Sequence, residues 1–202
     1  MIRSAAVVAV AFALLASACG DDTAAPPDDL EAPPEPASCD AFGAARALTE
    51  VGITYDYEPS DSMADLAASS RVVVRGRVAG VVDVDAEATD VAVLRVEVDE
   101  LALDRRSDNA LDRIAPGEIV SVGVSYNPSH AGFGAIRDAI ELGTGVVAFL
   151  GPETPDGFRW PHLEGLWLGC GEEGAHHVGI TPSWDSGATS LASVLESLDA
   201  VT

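Results

Sequence analysis

The sequence predicts a mainly β fold, a small closed barrel of five or six strands followed by a C-terminal helix. Three observations support it: long valine-rich stretches in which apolar and polar residues alternate, one continuous apolar run, GVVAFL, and a helical repeat of leucines near the end of the chain. A barrel is favoured because closure removes the exposed edges of long valine-rich strands. A β-sandwich of similar strand number is the alternative.

Composition narrows the range of partners. The chain has 202 residues, 33 acidic and 11 basic, and a formal net charge of −22. All the basic residues are arginines. Such a charge repels phosphate backbones, so we expect no nucleic-acid partner, and it also rules out a polybasic membrane patch. The hydrophobic fraction of 48% is too high for a wholly disordered chain.

Residues 1–18 have the pattern of a lipoprotein signal peptide. Arg3 precedes an apolar run that is too short to span a bilayer of ~30 Å as a helix. The segment LASAC, residues 15–19, resembles the lipobox of bacterial lipoproteins, in which the signal is cut before the cysteine and the cysteine carries the lipid. The resemblance implies a lipid on Cys19 and a chain anchored in the cell membrane, on its extracytoplasmic face.

Ordinary signal-peptidase cleavage after Ala18 is the alternative. Ala16 and Ala18 form an Ala-x-Ala site, and the lipobox family usually has leucine or another branched aliphatic residue where this chain has Ala16. This alternative predicts a released chain without a lipid.

Residues 19–38 predict a disordered, acidic, proline-rich tether. After Cys19 they read GDDTAAPPDDLEAPPEPAS, with one leucine as the only large apolar residue. Such a segment buries too little apolar surface to offset the entropy of ordering it. We expect residues 39–202 to form a single β-barrel domain, for which the length is sufficient.

Two short helices and a long hairpin are expected first. Residues 40–51 and 63–67 have apolar residues at helical spacing, and residues 71–85 and 91–103 alternate as strands. The inward parity of the second strand changes near Asp99 and Glu100, as a β-bulge would cause, and residues 83–90 are predicted as the turn. The residues on these buried faces are Phe42, Ala45, Leu48 and Thr49; Met63, Leu66 and Ala67; Val72, Val74, Val78, Val82 and Val84; Leu94, Val96 and Val98; and Leu101 and Leu103.

The remaining elements are shorter. Residues 119–126 predict a strand, 136–142 a short helix, and 145–150 a central strand buried on both faces. A strand over 158–168 is interrupted by Pro161, and 178–180 form a last short strand. Residues 189–198 predict a helix, capped by Thr189 or Ser190, with one apolar face: Leu191, Val194, Leu195 and Leu198.

The order of these elements resembles an OB-like barrel. More narrowly, the stretches SSRVVVRGRVAGV, VAVLRVEVDELAL, GEIVSV and ELGTGVVAFL are similar to a pattern in the inhibitory domain of tissue inhibitors of metalloproteinases and their netrin-like relatives. In those inhibitors the N-terminal cysteine contacts the catalytic zinc through its free amine and carbonyl. The nearest match, Cys39, follows the tether, so its amine is an amide and we do not expect the inhibitory activity.

The other cysteines predict a disulfide. With Cys19 lipidated, Cys39 and Cys170 remain as an even pair in an oxidising compartment. A bridge between them would close a long loop and contribute up to about 5 kcal/mol on the chain-entropy estimate. It would fix the start of the domain to its last strands.

The sequence shows no established catalytic or metal motif, so we expect a protein that is not an enzyme and holds no metal or cofactor. It lacks GxSxG, a Walker loop, HExxH and paired CxxC. Metal binding or catalysis by the region of His162, Cys170 and His176 is the alternative, with Glu172, Glu173 and His177 nearby. If His176 and His177 lie on a strand they point to opposite faces, so at most one would join a site.

Three features remain: a group of acidic residues, a cluster of aromatic residues and a glycine-rich connection. An EF-hand starting at Asp83 would need glycine and glutamate where the chain has Ala88 and Leu94, so the acids at 83, 85, 87 and 90 predict only a soluble hairpin tip. The cluster of Phe158, Trp160, Trp167 and Trp184 predicts core anchors under the closing helix, with an exposed tryptophan in a binding groove as the alternative. His130 and Phe133, in a glycine-rich connection, are candidate loop contacts.

These features together predict a lipid-anchored extracytoplasmic binding or interaction module. Its partners would be the membrane, through the anchor, and a protein or small molecule. A purely structural envelope component is a further alternative.

Overall fold

The computed structural model describes residues 39–50, 59–86, 89–105, 114–129, 132–171, 173–179, 184 and 190–200. The predicted signal peptide, the lipidated Cys19 and the tether lie outside these residues, as does His130. No helix in the described ranges is both long and apolar enough to span a membrane. The elements in chain order are α1 (Ala41–Glu50), α2 (Met63–Ser69), β1 (Val72–Ala86), β2 (Thr89–Asp104), β3 (Ile119–Ser125), α3 (Phe133–Ala139), β4 (Gly145–Glu153), β5 (Arg159–Cys170), β6 (Glu173–His177) and α4 (Leu191–Asp199).

The six strands form one sheet that closes on itself. Their order is β3-β2-β1-β4-β5-β6, and a further pairing between β3 and β5 joins the first five into a ring. This closing pair is parallel, Val122 with Arg159, and the other pairs are antiparallel. The predicted mainly β, OB-like barrel with a C-terminal helix is therefore confirmed, and the sandwich alternative is wrong because a sandwich has two sheets without this ring.

Three apolar clusters hold the barrel. The largest fills the interior, where α1 and α3 contribute Leu48 and Ile136. The second lies outside the ring, between strands β1, β4 and β5 and the helices α2 and α4. As predicted, β4 is buried on both faces, because Val146 and Ala148 face the interior cluster while Val147 faces the helices. The third is small and lies on the outer surface of β1 and β2.

β-Bulges shape the long β1–β2 hairpin. Arg75 lies opposite Glu100 and Gly76 opposite Val98, which leaves Asp99 as the extra residue that the parity change predicts. Another register shift, between Val73 and Val74, leaves Ala102 as an extra residue, so Leu103 packs against the outer cluster and not on the face of Leu101 as expected. The third lies between Val78 and Gly80.

The shift between Val78 and Gly80 corrects one prediction. Beyond it Val81 packs against the interior cluster, whereas Val82 is 43% exposed. The expectation that Val82 shares the buried face of Val78 is wrong, because one extra residue in a strand reverses the facing of every residue that follows it.

The predicted turn over residues 83–90 is also wrong. The ladder continues through Asp83 opposite Ala92 and Asp85 opposite Asp90 to a last pair, Ala86 and Thr89. The connection is thus residues 87–88, and Asp83, Asp85 and Asp90 are strand residues. Their side chains tolerate a strand because this end of the hairpin is solvated.

The shorter elements differ from expectation in detail. Phe42 is 60% exposed, because Ala41, Ala44, Ala45 and Leu48 form the buried face of α1. The helix predicted at 136–142 overlaps α3, which begins earlier, at Phe133, and ends at Ala139. The strand predicted at 178–180 is wrong: β6 ends at His177, and Gly179 has a positive φ of 90°, which does not continue a strand. β5 runs through Pro161, but between Pro161 and Leu166 it departs from the β4 ladder. We call residues 162–165 the β5 bulge.

Helix α4 follows its prediction closely. Its buried residues are Leu191, Val194, Leu195 and Leu198. Ser190 caps it, accepting a hydrogen bond from the Ser193 N–H, while the Ser193 side chain accepts one from the Ser190 N–H. Such caps satisfy the first backbone donors of a helix and contribute about 1 kcal/mol.

Candidate functional site

The β1–β2 hairpin projects beyond the strand β4, and we call residues 78–86 of β1 with residues 89–97 of β2 the arm. β1 pairs with β4 only from Val72 to Arg77. β2 remains paired with β3 along the arm, from Val91 opposite Ser125 to Glu97 opposite Ile119. One strand of the arm is therefore inside the sheet, and the other lies at its edge.

The outer face of the arm is apolar and carries an aromatic pair. Val84, Val91 and Val93 pack there against Phe158, the residue that precedes β5. The ring of Trp160 stands at 89° to that of Phe158, with centroids 5.0 Å apart, and Trp160 is 37% exposed. Val82, which is opposite Val93 in the register, adds a second exposed apolar side chain to the same face.

Arg159 fixes this aromatic pair. Its buried guanidinium donates to the Gly151 carbonyl at 3.1 Å and to the Glu153 carboxylate at 2.7 Å. Because successive residues of a strand face opposite ways, anchoring Arg159 turns Phe158 and Trp160 together towards the outer face. Beside Arg159 lies a cleft of about 170 Å³, lined partly by Glu118 and Glu153. This is below the ~300 Å³ of a usual small-molecule site, so the exposed face is the better candidate.

The inner face of the arm is polar towards its tip. The Tyr126 hydroxyl donates to Asp83 Oδ1 at 2.8 Å. Burial, this hydrogen bond and the charges of Asp83 and Asp90 raise the pKa of Tyr126 to about 12. The Tyr126 ring also contacts Phe133, which the sequence predicts as a loop contact but which opens α3 and packs against the interior cluster.

The predicted disulfide is present. Cys39 and Cys170 are bonded, with their Cα atoms 5.7 Å apart, and they join the start of the described chain to the end of β5. The Ala41 N–H at the start of α1 lies 3.2 Å from Cys170 Sγ. The bridge therefore fixes the helix α1, which contributes to the interior cluster.

The candidate metal residues are not brought together. Cys170 is in the disulfide, the His176 ring packs edge-on against Phe42, and the His177 ring packs edge-on against Trp167. The two adjacent histidines thus face different neighbours on β6, as expected for a strand. Among the residues that the structure describes, no three His, Cys, Asp or Glu side chains are grouped closely enough to hold a metal ion.

His162 lies on the β5 bulge and is half-buried. Burial lowers the pKa of its imidazole, while a hydrogen bond with the Ser69 backbone acts in the opposite direction. Its Nε2 atom is buried without a hydrogen-bond partner among the described residues. Glu164, on the same bulge, accepts a hydrogen bond from the Ser60 N–H at 2.8 Å. The bulge therefore contacts both ends of the segment that contains α2.

The aromatic cluster divides between the two roles that the sequence suggests. Trp167 is a core anchor under α4, and Trp184 packs at the same cluster while donating its Nε1–H to the Ser60 carbonyl at 2.8 Å. Phe158 and Trp160 belong to the arm instead, so placing all four under the closing helix is wrong. Sequence reasoning missed this surface, although a glycine in the middle of β3, Gly123, signals a large side chain lying across that strand.

No protein-family model, curated protein or solved structure matches this chain.

Proposed function

We propose that this chain is a lipid-anchored binding module on the extracytoplasmic face of the cell membrane, and that the outer face of the arm is its binding surface. Trp160 carries the proposal. It is an aromatic side chain, 37% exposed, held by Phe158 and by the anchoring of Arg159. Rigid aromatic side chains of this kind dominate the energetics of binding surfaces.

The position of the surface supports the same proposal. OB-like barrels bind ligands on the face of strands 2 and 3, between the loops that join strands 1–2 and 4–5. Here the arm and the β4–β5 connection occupy those positions. The net charge of −22 argues against a nucleic acid as the ligand, so a protein or a small molecule is proposed.

The anchoring part of the proposal rests on residues 1–38. The segment before Cys19 resembles a lipobox, and the acidic, proline-rich residues after it would hold the barrel away from an anionic surface. Replacing Cys19 with alanine should release the chain from the membrane fraction. An unmodified mature N-terminus, found in the medium of cells that make the native chain, would contradict the anchor.

Photo-crosslinking tests the surface. A benzoyl-phenylalanine is placed at position 160 of the full chain in the cells that naturally make it. Position 142 is the control, because Leu142 is 73% exposed and lies in the turn before β4. We expect a discrete adduct from position 160 and none from position 142. Equal labelling at both positions, or none at 160, would contradict the proposal.

Metal binding or catalysis is the weaker proposal. It needs His162, Cys170 and His176 in one site, and two of these three already have structural contacts, the disulfide and the Phe42 ring.

A further inference from the structure

We propose that the arm binds an extended segment of a partner protein by strand addition along β1, and that this segment alternates basic and apolar residues. The inference rests on the proposed role as a binding module and names the partner's chemistry. It uses the edge of the arm rather than the exposed Trp160.

No strand of the described chain covers the edge of β1 beyond Val78. On the side of β1 away from β2, the last strand pair is Arg77 with Gly145. Two further backbone bonds follow at Val78, whose N–H donates to the Thr144 carbonyl and whose carbonyl accepts from the Gly143 N–H. From residue 79 to residue 86, β2 is the only strand paired with β1 in the described chain.

The ladder shows which backbone groups face the open side. The Asp90 carbonyl accepts the Tyr126 N–H at 2.9 Å, on the β3 side. In an antiparallel ladder a residue directs its N–H and C=O to the same neighbour, so Asp90 is not hydrogen-bonded to Asp85, its register partner. The N–H and C=O of Asp85 therefore point away from β2, and alternation places those of Asp83 and Val81 there too. These are the groups that an added strand would bond.

The side chains along this edge alternate in character. Val82 and Val84 lie on the outer face, where Val82 is 43% exposed. Asp83 and Asp85 lie on the opposite face and are exposed to solvent. A strand placed beside β1 would bring its own side chains next to these two rows, one apolar and one anionic.

A second copy of this chain is a poor occupant of the edge. Two-fold antiparallel pairing of β1 with itself would place Asp83 and Asp85 of both copies on one face, and like charges on neighbouring strands repel. Natural edge strands carry such charges to prevent self-pairing. The net charge of −22 on each chain adds to the repulsion. A partner strand with arginine or lysine in the alternate positions removes the repulsion and gains charge pairs instead.

The test uses synthetic peptides with the full chain in detergent. The probe is a labelled heptapeptide that alternates valine and arginine, and a valine–glutamate peptide is its charge control. A third peptide has the arginine sequence N-methylated at every residue, which keeps the charge and removes the backbone donors. We expect the first peptide to bind, with amide NMR shifts on residues 79–86, and each control peptide to bind at least about tenfold more weakly.

Matched variants test the role of the aspartates. Asp83→Asn with Asp85→Asn should weaken binding of the arginine peptide about fivefold, since each cross-strand charge pair contributes a fraction of a kcal/mol. Asp138→Asn with Asp156→Asn removes the same charge from exposed positions elsewhere and should leave the affinity unchanged.

Three outcomes would overturn the inference. One is equal binding of the N-methylated peptide, which would mean charge attraction alone. The second is amide shifts away from residues 79–86. The third is a dimer of the chain whose interface protects those residues from hydrogen exchange. Failure of strand addition can be distinguished from failure of the proposed outer surface. A crosslinked adduct at position 160 without peptide binding rejects only strand addition at the edge. Peptide binding that persists in Trp160→Ala, with no crosslinked adduct at position 160, rejects only the outer face.

Discussion

Gly123 of β3 lies directly under the ring of Phe158. A Cβ at position 123 would stand 2.5 Å from Cδ2 of Phe158 and 3.2 Å from Cγ1 of Val91. Real Cβ atoms do not come as close as 2.5 Å to another heavy atom, so any side chain at this position would displace the ring. The glycine thus makes room for the Phe158 ring, against which the Trp160 ring packs edge-on.

Replacing Gly123 with alanine should destabilise the protein by about 1–3 kcal/mol, the usual cost of forcing extra volume into a packed site. The measurement is the free energy of unfolding in urea. Gly134→Ala is the matched control, because a Cβ there meets nothing within 4 Å. Since Gly134 lies inside the helix α3, this control should be neutral or more stable by up to about 1 kcal/mol. Equal effects of the two substitutions would contradict the contact.

The Phe158→Ala background gives a second check on the same contact. Removing the buried ring should itself cost about 3–5 kcal/mol. It also makes room for a Cβ at position 123, so Gly123→Ala should cost less in this background than in the native chain. Strictly additive changes would mean that the two residues do not touch.

Removal of the disulfide should destabilise the barrel strongly. The bond between Cys39 and Cys170 joins positions 131 residues apart, and such bridges contribute about 2–5 kcal/mol. We expect the variant with both cysteines replaced by serine to unfold at correspondingly lower urea. The native chain treated with a thiol reductant should match it, whereas a non-reduced mass showing two free thiols in the native chain would contradict the bridge.

The pattern of apolar residues predicts the regular parts of this fold well. Leu94, Val96 and Val98 face the interior as alternation requires, and the run GVVAFL is buried on both faces. At Val82 the prediction fails because of a single inserted residue. The bulge between Val78 and Gly80 turns Val82 outwards, and nothing in the composition of AGVV marks where the extra residue falls.

The candidate surface was only partly predictable. Phe158 and Trp160 are two residues apart, so strand alternation places them on one face, and Trp167, an odd number of residues further on, need not join them. The burial of Arg159 was not predictable, because arginine is rarely buried unless it is paired. Its partners, the Gly151 carbonyl and the Glu153 carboxylate, become neighbours only once β4 and β5 fold together.

The burial of Tyr126 and its hydrogen bond to Asp83 predict a loss of stability at high pH. The folded protein raises the pKa of Tyr126 from 10.0 to about 12, so the neutral phenol is favoured in the fold. The stabilisation is complete below about pH 10, the value in the unfolded chain, and is lost as the pH rises towards 12. Tyr126→Phe should remove this dependence. The check is the unfolding free energy at pH 9 to 11, together with the difference in phenolate absorbance between the native chain and Tyr126→Phe, because the chain also contains Tyr55 and Tyr57. A Tyr126 phenolate that is half formed at pH 10 in the folded protein would contradict the shift.

The half-buried His162 predicts the opposite dependence, a loss of stability in mild acid. Burial lowers the pKa of its imidazole below the ordinary value of 6.5, so between the two values the unfolded chain binds more protons than the folded one. Stability from this group is therefore complete above about pH 6.5 and decreases as the pH falls through the lowered value.

His162→Gln removes the titration and keeps an amide donor for the Ser69 backbone. Between pH 7.5 and 5 the unfolding free energy of the native chain should fall more steeply than that of the variant. Only in the native chain would a charged imidazole at position 162 lose water when β5 packs beside α2. Parallel curves for the two chains would show that His162 remains solvated, and an NMR titration of its imidazole at or above 6.5 would show the same directly.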